Sequence, residues 1–223
     1  MDIVFTVQLI FIFGFVITFF LDNNITLSLR VIGKKLDAFP EGTLRSTQIL
    51  LLNRVGAAFF FTSAGFLVDV GLGPREFLLL FSISWFLLSI LSFLYLKKWP
   101  EVSDFLAVYL FKKRKAFKKE VIRFSFSYLP INFPFFFFLV GVSIPIILAA
   151  FFPDFRGTLL QLGFLFNGLA SMLLVFIIEP KFINHISNND HDLADELHQK
   201  LIFSKASILM MMSFINIIIS LIY

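Results

Sequence analysis

Arg54 stands in LLNRVGAAFF, residues 51 to 60, among neighbours that are almost all apolar. A guanidinium at the centre of a membrane helix costs about 2.5–3.5 kcal/mol on insertion scales, so it usually faces a bundle interior or a wet cavity. The chemistry it offers there is anion binding, because its planar fork donates paired hydrogen bonds to phosphate oxygens. The plainer reading is a side chain that snorkels to the surface or meets an acid. Asn53 adds a donor and an acceptor but points about 100° away around a helix. Asn167, in LFNGLAS, offers the same amide chemistry within another apolar stretch, where it either joins helices or touches substrate. Asp69 closes GFLVDVGLG and Glu179 closes FIIEPK. Each is an interface charge, a proton carrier in gating or coupling, or the partner of a base.

The other polar concentration is HISNNDHDLADELHQK, residues 185 to 200. His191 and His198 fall on one face of a helix there, with Asp192, Asp195 and Glu196 nearby. A solvated cytoplasmic helix is the expectation, and no HExxH pairs two zinc ligands with a base. No GxxxxGK[ST] or GxSxG occurs, so neither a nucleotide-binding loop nor a hydrolase elbow is expected. The chain has no Cys, which excludes disulfides, Cys-ligated metals and thiol catalysis. No catalytic residue, cofactor or metal is therefore expected.

The elements that position these residues follow from composition. The chain is 58% hydrophobic and 15% charged, with a mean hydropathy of +0.90. A soluble fold of 223 residues would expose too much of that surface. The expectation is an all-α integral membrane protein, one polytopic domain over residues 1–223. A helix needs about 20 apolar residues to cross the hydrocarbon core. Six stretches approach this, at 3–21, 48–68, 77–96, 133–152, 158–178 and 204–223. The first lacks the positive start and the cleavage site of a signal peptide. Arg54 then lies roughly 10 Å into the second span. Gly56 and Gly65 in the second span and Gly168 in the fifth are expected to let helices pack closely. Pro134, Gly141 and Pro145 suggest kinks in the fourth.

Positive charge orients the spans. The connection 22–47 holds Arg30, Lys34, Lys35 and Arg45, and the connection 97–132 holds FKKRKAFKKEVIR. Lys181 and Lys200 lie in 179–203, whereas the two remaining connections carry only Arg75 and Arg156. The three long connections are thus expected in the cytoplasm, with both termini on the outer side. The basic run reads as a topology determinant or a contact for anionic membrane lipids, worth about 1 kcal/mol per residue near the surface. No fold that binds nucleic acid accompanies it. WPEVSDFLAVYLF, residues 99 to 111, suits a short interfacial helix. Six spans divide into halves of opposite orientation, the geometry of a 3+3 inverted repeat, with LNRVGAA and FNGLASM at corresponding centres.

Three stretches resemble the Amj family of lipid II flippases, the alternates to MurJ. SLRVIGKK is similar to that family's SxRxxG, matched at Arg30 and Gly33. LNRVGAAFFFTSAGFLVD resembles SRxxN followed by GxxVD, matched at Arg54, Gly65, Val68 and Asp69. NGLASMLLVFIIEP resembles NGxATxLLxxFxDP, matched at Asn167, Gly168, Ala170, Leu173, Leu174 and Pro180. Asn53 replaces a Ser, Ala57 stands where the family has Asn, Phe61-Thr62 replaces Ala-Pro, and Glu179 replaces Asp. The resemblance implies a bacterial inner-membrane protein that moves an undecaprenyl-pyrophosphate-linked peptidoglycan precursor outward. Arg54 would hold its pyrophosphate, with Asn53 and Asn167 lining the path, and Arg30 would capture the headgroup first. A membrane enzyme or a transporter acting on another polyprenyl-linked lipid is the alternative. With no nucleotide motif, the energy would come from an ion gradient, the membrane potential or consumption of substrate outside. A bundle this small suits a homodimer, which would enlarge the cavity.

Overall fold

The computed structural model describes residues 2–113, 129–173, 176 and 191–222, and no strand occurs among them. Asp2 caps α1 (Ile3–Phe20), its carboxylate accepting from the Val4 N–H at 3.1 Å. The chain does not leave the helix where apolar character ends. It continues through a π-helical segment, Leu21–Thr26, into α2 (Leu27–Lys35). A three-residue turn follows, with Asp37 in the left-handed region at φ 55°. Pro40 then opens α3 (Phe39–Asp69), where its missing N–H costs nothing. Thus the connection expected at 22–47 is mostly helix. Its polar residues stay helical because they find partners on neighbouring helices, described below.

Gly71 (φ 81°) turns the chain into α4 (Pro74–Lys97), and α5 (Trp99–Phe111) follows after one residue. Then come α6 (Leu129–Phe151), a 3-10 turn at Pro153–Phe155, α7 (Arg156–Leu173) and α8 (His191–Ile222). Among the described residues, four helices are long and apolar enough to cross a membrane: Ile3–Lys35, Phe39–Asp69, Pro74–Lys97 and Asp195–Ile222. The stretch 133–152 falls on α6 and the described part of 158–178 on α7, neither of them among the four; α6 contributes a shorter apolar helix, Leu139–Phe151.

Two cores hold the bundle. The larger one stacks Phe11 and Phe15 of α1 on Phe60 of α3 and Phe77 and Phe81 of α4, with Leu139, Val142 and Ile146 of α6 closing it. Ring centroids 4.8–5.2 Å apart link Phe11 to Phe60 and Phe81 in tilted and edge geometry, which suits the aromatic quadrupole. The second core lies at the basic end and joins Leu29, Ile32, Tyr95, Trp99, Ala107 and Ile202 from α2, α4, α5 and α8.

The helices pair in a simple pattern. Hairpins α1/α3 and α6/α7 flank a central α4/α8 pair; α1 packs on α3 and α4, and α6 packs on α7 and α8. The α4/α8 pair is antiparallel, fixed by Ser89 Oγ donating to the Ala206 carbonyl (2.7 Å) and Ser213 Oγ donating to that of Ser82 (2.8 Å). Glycines set the close approaches. A Cβ on Gly33 would lie 2.7 Å from Gly42 Cα, so only glycine fits on α2 at that crossing.

Candidate functional site

Arg54 sits halfway along α3. Its side chain is exposed, beside the equally exposed Leu51, Leu52 and Val55. The expectation that it faces the bundle interior is therefore not met within one chain. The reason is the helix phase: α3 buries Phe60, Ala64 and Leu67 against its neighbours, and Arg54 lies outside that stripe. It is not on the outermost line either. Phe61 follows two turns later on the same flank. With Ala64 it meets Val142, Pro145 and Ile146 of α6 and Leu160 and Gly163 of α7 around a pocket of about 190 Å³. Arg54 thus belongs to the flank of α3 turned toward the α6/α7 hairpin. It makes no hydrogen bond or ion pair among the described residues.

The other expected site residues scatter along α3 and its ends. Asn53 is half-buried and its Oδ1 has no partner among the described residues. Arg30, on α2, donates from Nε to Ser46 Oγ at 3.2 Å. Ser46 lies about 12 Å below Arg54 along α3, so the two arginines line successive levels rather than one pocket. Asp69 ends α3 in an exposed ion pair, its Oδ1 2.7 Å from Arg156 Nη1 at the start of α7. The side chain of Asn167 and the surroundings of Gly168 lie outside the described residues, although the backbone of both belongs to α7. Glu179 also lies outside them.

Among the glycines, Gly56 packs as expected: a Cβ there would sit 2.6 Å from Thr18 Oγ1 of α1. Gly65 does not, because a Cβ would meet nothing within 4 Å among the described residues. On the other flank of α3, Leu52, Val55, Gly56 and Phe59 form with α1 a groove of about 530 Å³ whose lining is hydrocarbon apart from Thr6.

The most polar interior feature is elsewhere, at the basic end, and it corrects the reading of a solvated helix for residues 195–200; residues 185–190 and the side chains of 191–194 lie outside the described residues. Asp195, His198 and Gln199 on the first turns of α8 are buried. Asp195 accepts from Lys35 Nζ (3.3 Å), Trp99 Nε1 (2.8 Å) and Gln199 Nε2 (3.4 Å). His198 Nε2 lies 2.9 Å from Ser28 Oγ, which also bonds Tyr95 OH (2.6 Å) and the Asn24 carbonyl. Asn24 Nδ2 donates to Ser92 Oγ at 2.9 Å. No cluster of three His, Asp or Glu suited to a metal occurs among the described residues.

A signal for this cluster is present in the sequence. The buried stripe of the last helix, Ile202, Ala206, Leu209 and Ser213, extends backward at helical spacing onto His198, Gln199 and Asp195. Ending the helix with its hydrophobicity cut that stripe short.

A scan of family models finds none that matches the chain, and neither curated proteins nor solved structures match it.

Proposed function

We propose that this chain is a flippase that carries a polyprenyl-pyrophosphate-linked cell-wall precursor, lipid II, from the cytoplasmic to the outer leaflet of a bacterial inner membrane. The observation that carries the reading is Arg54: a guanidinium without an ion partner among the described residues, midway along a membrane-length helix, on the flank beside α6 and α7. Flipping requires shielding a pyrophosphate and a sugar headgroup from hydrocarbon while the tail stays in lipid. An arginine that can hold phosphate oxygens in a bidentate fork suits the first need. Arg30, one level nearer the basic end, suits headgroup capture.

The three resembling stretches support the same reading, since Gly33 of the first holds the α2/α3 crossing and Arg54 lies in the second. All three long basic connections meet at one end as far as they are described: Lys35 with Asp195, and Lys113 donating to the Leu36 carbonyl at 3.0 Å. This supports a cytoplasmic basic end and outward termini. The flanking hairpins around α4/α8 support a 3+3 inverted repeat of six spans, with α6 and α7 as the fourth and fifth. In this reading the exposed face of α3 meets a second copy or lipid.

The test depletes the host's resident lipid II flippase and expresses the chain, wild type or Arg54→Ala, at matched membrane levels. Survival and cytoplasmic-side lipid II are read. Rescue by wild type alone is expected. Rescue by both reduces Arg54 to a surface residue, and rescue by neither, with both inserted, turns the reading to another polyprenyl-linked cargo.

A further inference from the structure

His198 is wholly buried where α8 meets α2, α4 and α5, and its ring can be assigned by counting protons. Ser28 has one hydroxyl proton, which it donates to the Asn24 carbonyl. Tyr95 OH donates to Ser28 Oγ. Toward His198 Nε2 the serine oxygen can therefore only accept. That makes the ring a neutral Nε2–H imidazole with a bare Nδ1. Nδ1 is buried and has no hydrogen-bond partner among the described residues. Buried acceptors left without a donor are uncommon in native interiors and ask for a reason.

The surroundings sharpen the point. From α2 comes Lys35, paired with Asp195 on α8. Lys205 on α8 interacts with Asp22 of the π-helical segment and also faces the ring. From α4 comes Tyr95, and from α5 the non-titrating Trp99, whose ring centroid is 4.5 Å from that of His198. The Asn24 carbonyl also faces the imidazole. Two cations and two carboxylates balance around a neutral histidine. One more proton breaks that balance in a place sealed from water. An imidazolium can persist only if Asp195, one turn earlier on α8, turns from Lys35 toward it, or if the packing opens.

We propose that His198 Nδ1 is a proton-binding site whose occupancy sets how tightly the first turns of α8 are held against α2, α4 and α5. Its ligand is a proton from the basic-end aqueous phase, taken onto the Nδ1 lone pair without breaking another covalent bond. Use of this proton to drive lipid translocation rests on the flippase reading, whereas the site itself does not.

The chain has three histidines, so His185→Gln with His191→Gln leaves His198 alone. Nitrogen NMR of that histidine-labelled protein in nanodiscs reads tautomer and charge directly. The expected result is the Nε2–H form near pH 8 and conversion to imidazolium only as the pH falls toward about 3, because burial and Lys205 disfavour the charged ring. Over the same range, hydrogen exchange in 27–35 and 191–203 rises more than about tenfold in the wild type relative to His198→Gln at each pH. An Nδ1–H tautomer, a ring that does not titrate in that range, or equal exchange in both proteins overturns the proposal. If His198→Gln fails to fold, the spectrum of the single-histidine protein still decides. A titrating ring in a protein that does not rescue flippase depletion sinks the transport reading alone. A silent ring in a protein that rescues sinks the proton site alone.

Discussion

Lys35 Nζ lies 3.3 Å from Asp195 Oδ2, and the pair ties the last residue of α2 to the first turns of α8. Both side chains are nearly inaccessible, so each neutralises a charge the other could not leave buried. Trp99 Nε1 completes the carboxylate's shell. Asp195→Ala should therefore destabilise the protein by about 3–5 kcal/mol, because it strands the lysine. Removing both charges with Lys35→Met and Asp195→Leu should recover most of that loss. Denaturant unfolding in nanodiscs checks the order. A double variant no better than Asp195→Ala would show that Trp99 and Gln199, rather than Lys35, need the carboxylate.

Glycine-to-alanine substitutions should separate the crossings that need glycine from those that do not. Gly33→Ala puts a methyl group 2.7 Å from Gly42 Cα, and backbone cannot yield as a side-chain end can. A cost of about 1–3 kcal/mol is expected. Gly65→Ala meets nothing within 4 Å among the described residues, and within α3 the lower helix entropy cost favours alanine by up to about 1 kcal/mol. Thermal unfolding of the two variants should shift in opposite directions. A loss at Gly65 comparable to that at Gly33 would place another helix on that face.

Much of the fold was legible because hydropathy has a physical cause. The apolar runs fall on α1, α3, α4 and α8, but α3 starts well before the run at 48–68 and α8 well before that at 204–223. They fail at helix ends, where packing decides. The π-helical segment and α2 look like a loop when Asp22, Asn24, Ser28 and Lys35 are read as solvent-facing. They are helix because each of these groups finds a partner inside the bundle. The place of Arg54 midway along an apolar helix was readable, since a lone guanidinium among apolar residues stands out. Its flank was not, because α3 has apolar residues all round and no sequence period fixes its phase. His198 was hidden for the opposite reason, as a polar face counted as wet.

Asp69 and Arg156 link the end of α3 to the start of α7 at 2.7 Å, with side chains 60% and 50% exposed. So exposed a pair contributes roughly 0–1 kcal/mol. Asp69→Asn and Arg156→Gln should each shift unfolding by less than that. Any effect on complementation should be shared by the two and relieved by the swap Asp69→Arg with Arg156→Asp. Loss of rescue by Asp69→Asn while Arg156→Gln stays active would instead give Asp69 a proton-carrying role.

Orientation can be read with single cysteines, because the chain has none of its own. Phe155 and Tyr109 are both 65% exposed and lie at opposite ends of the bundle, Phe155 in the 3-10 turn before α7 and Tyr109 on α5. Tyr109 stacks on Phe105 at 5.7 Å beside Lys112, a surface suited to the membrane interface at the basic end. A membrane-impermeant maleimide added to intact cells should label Phe155→Cys. Tyr109→Cys should label only after the membrane is opened. The reverse pattern would put the basic connections outside, contrary to the positive-inside rule, and would turn the proposed capture site at Arg30 away from the leaflet where the precursor is made. Labelling of both in intact cells would mean that α5 and the 3-10 turn share one face of the membrane, and the six-span reading would fail.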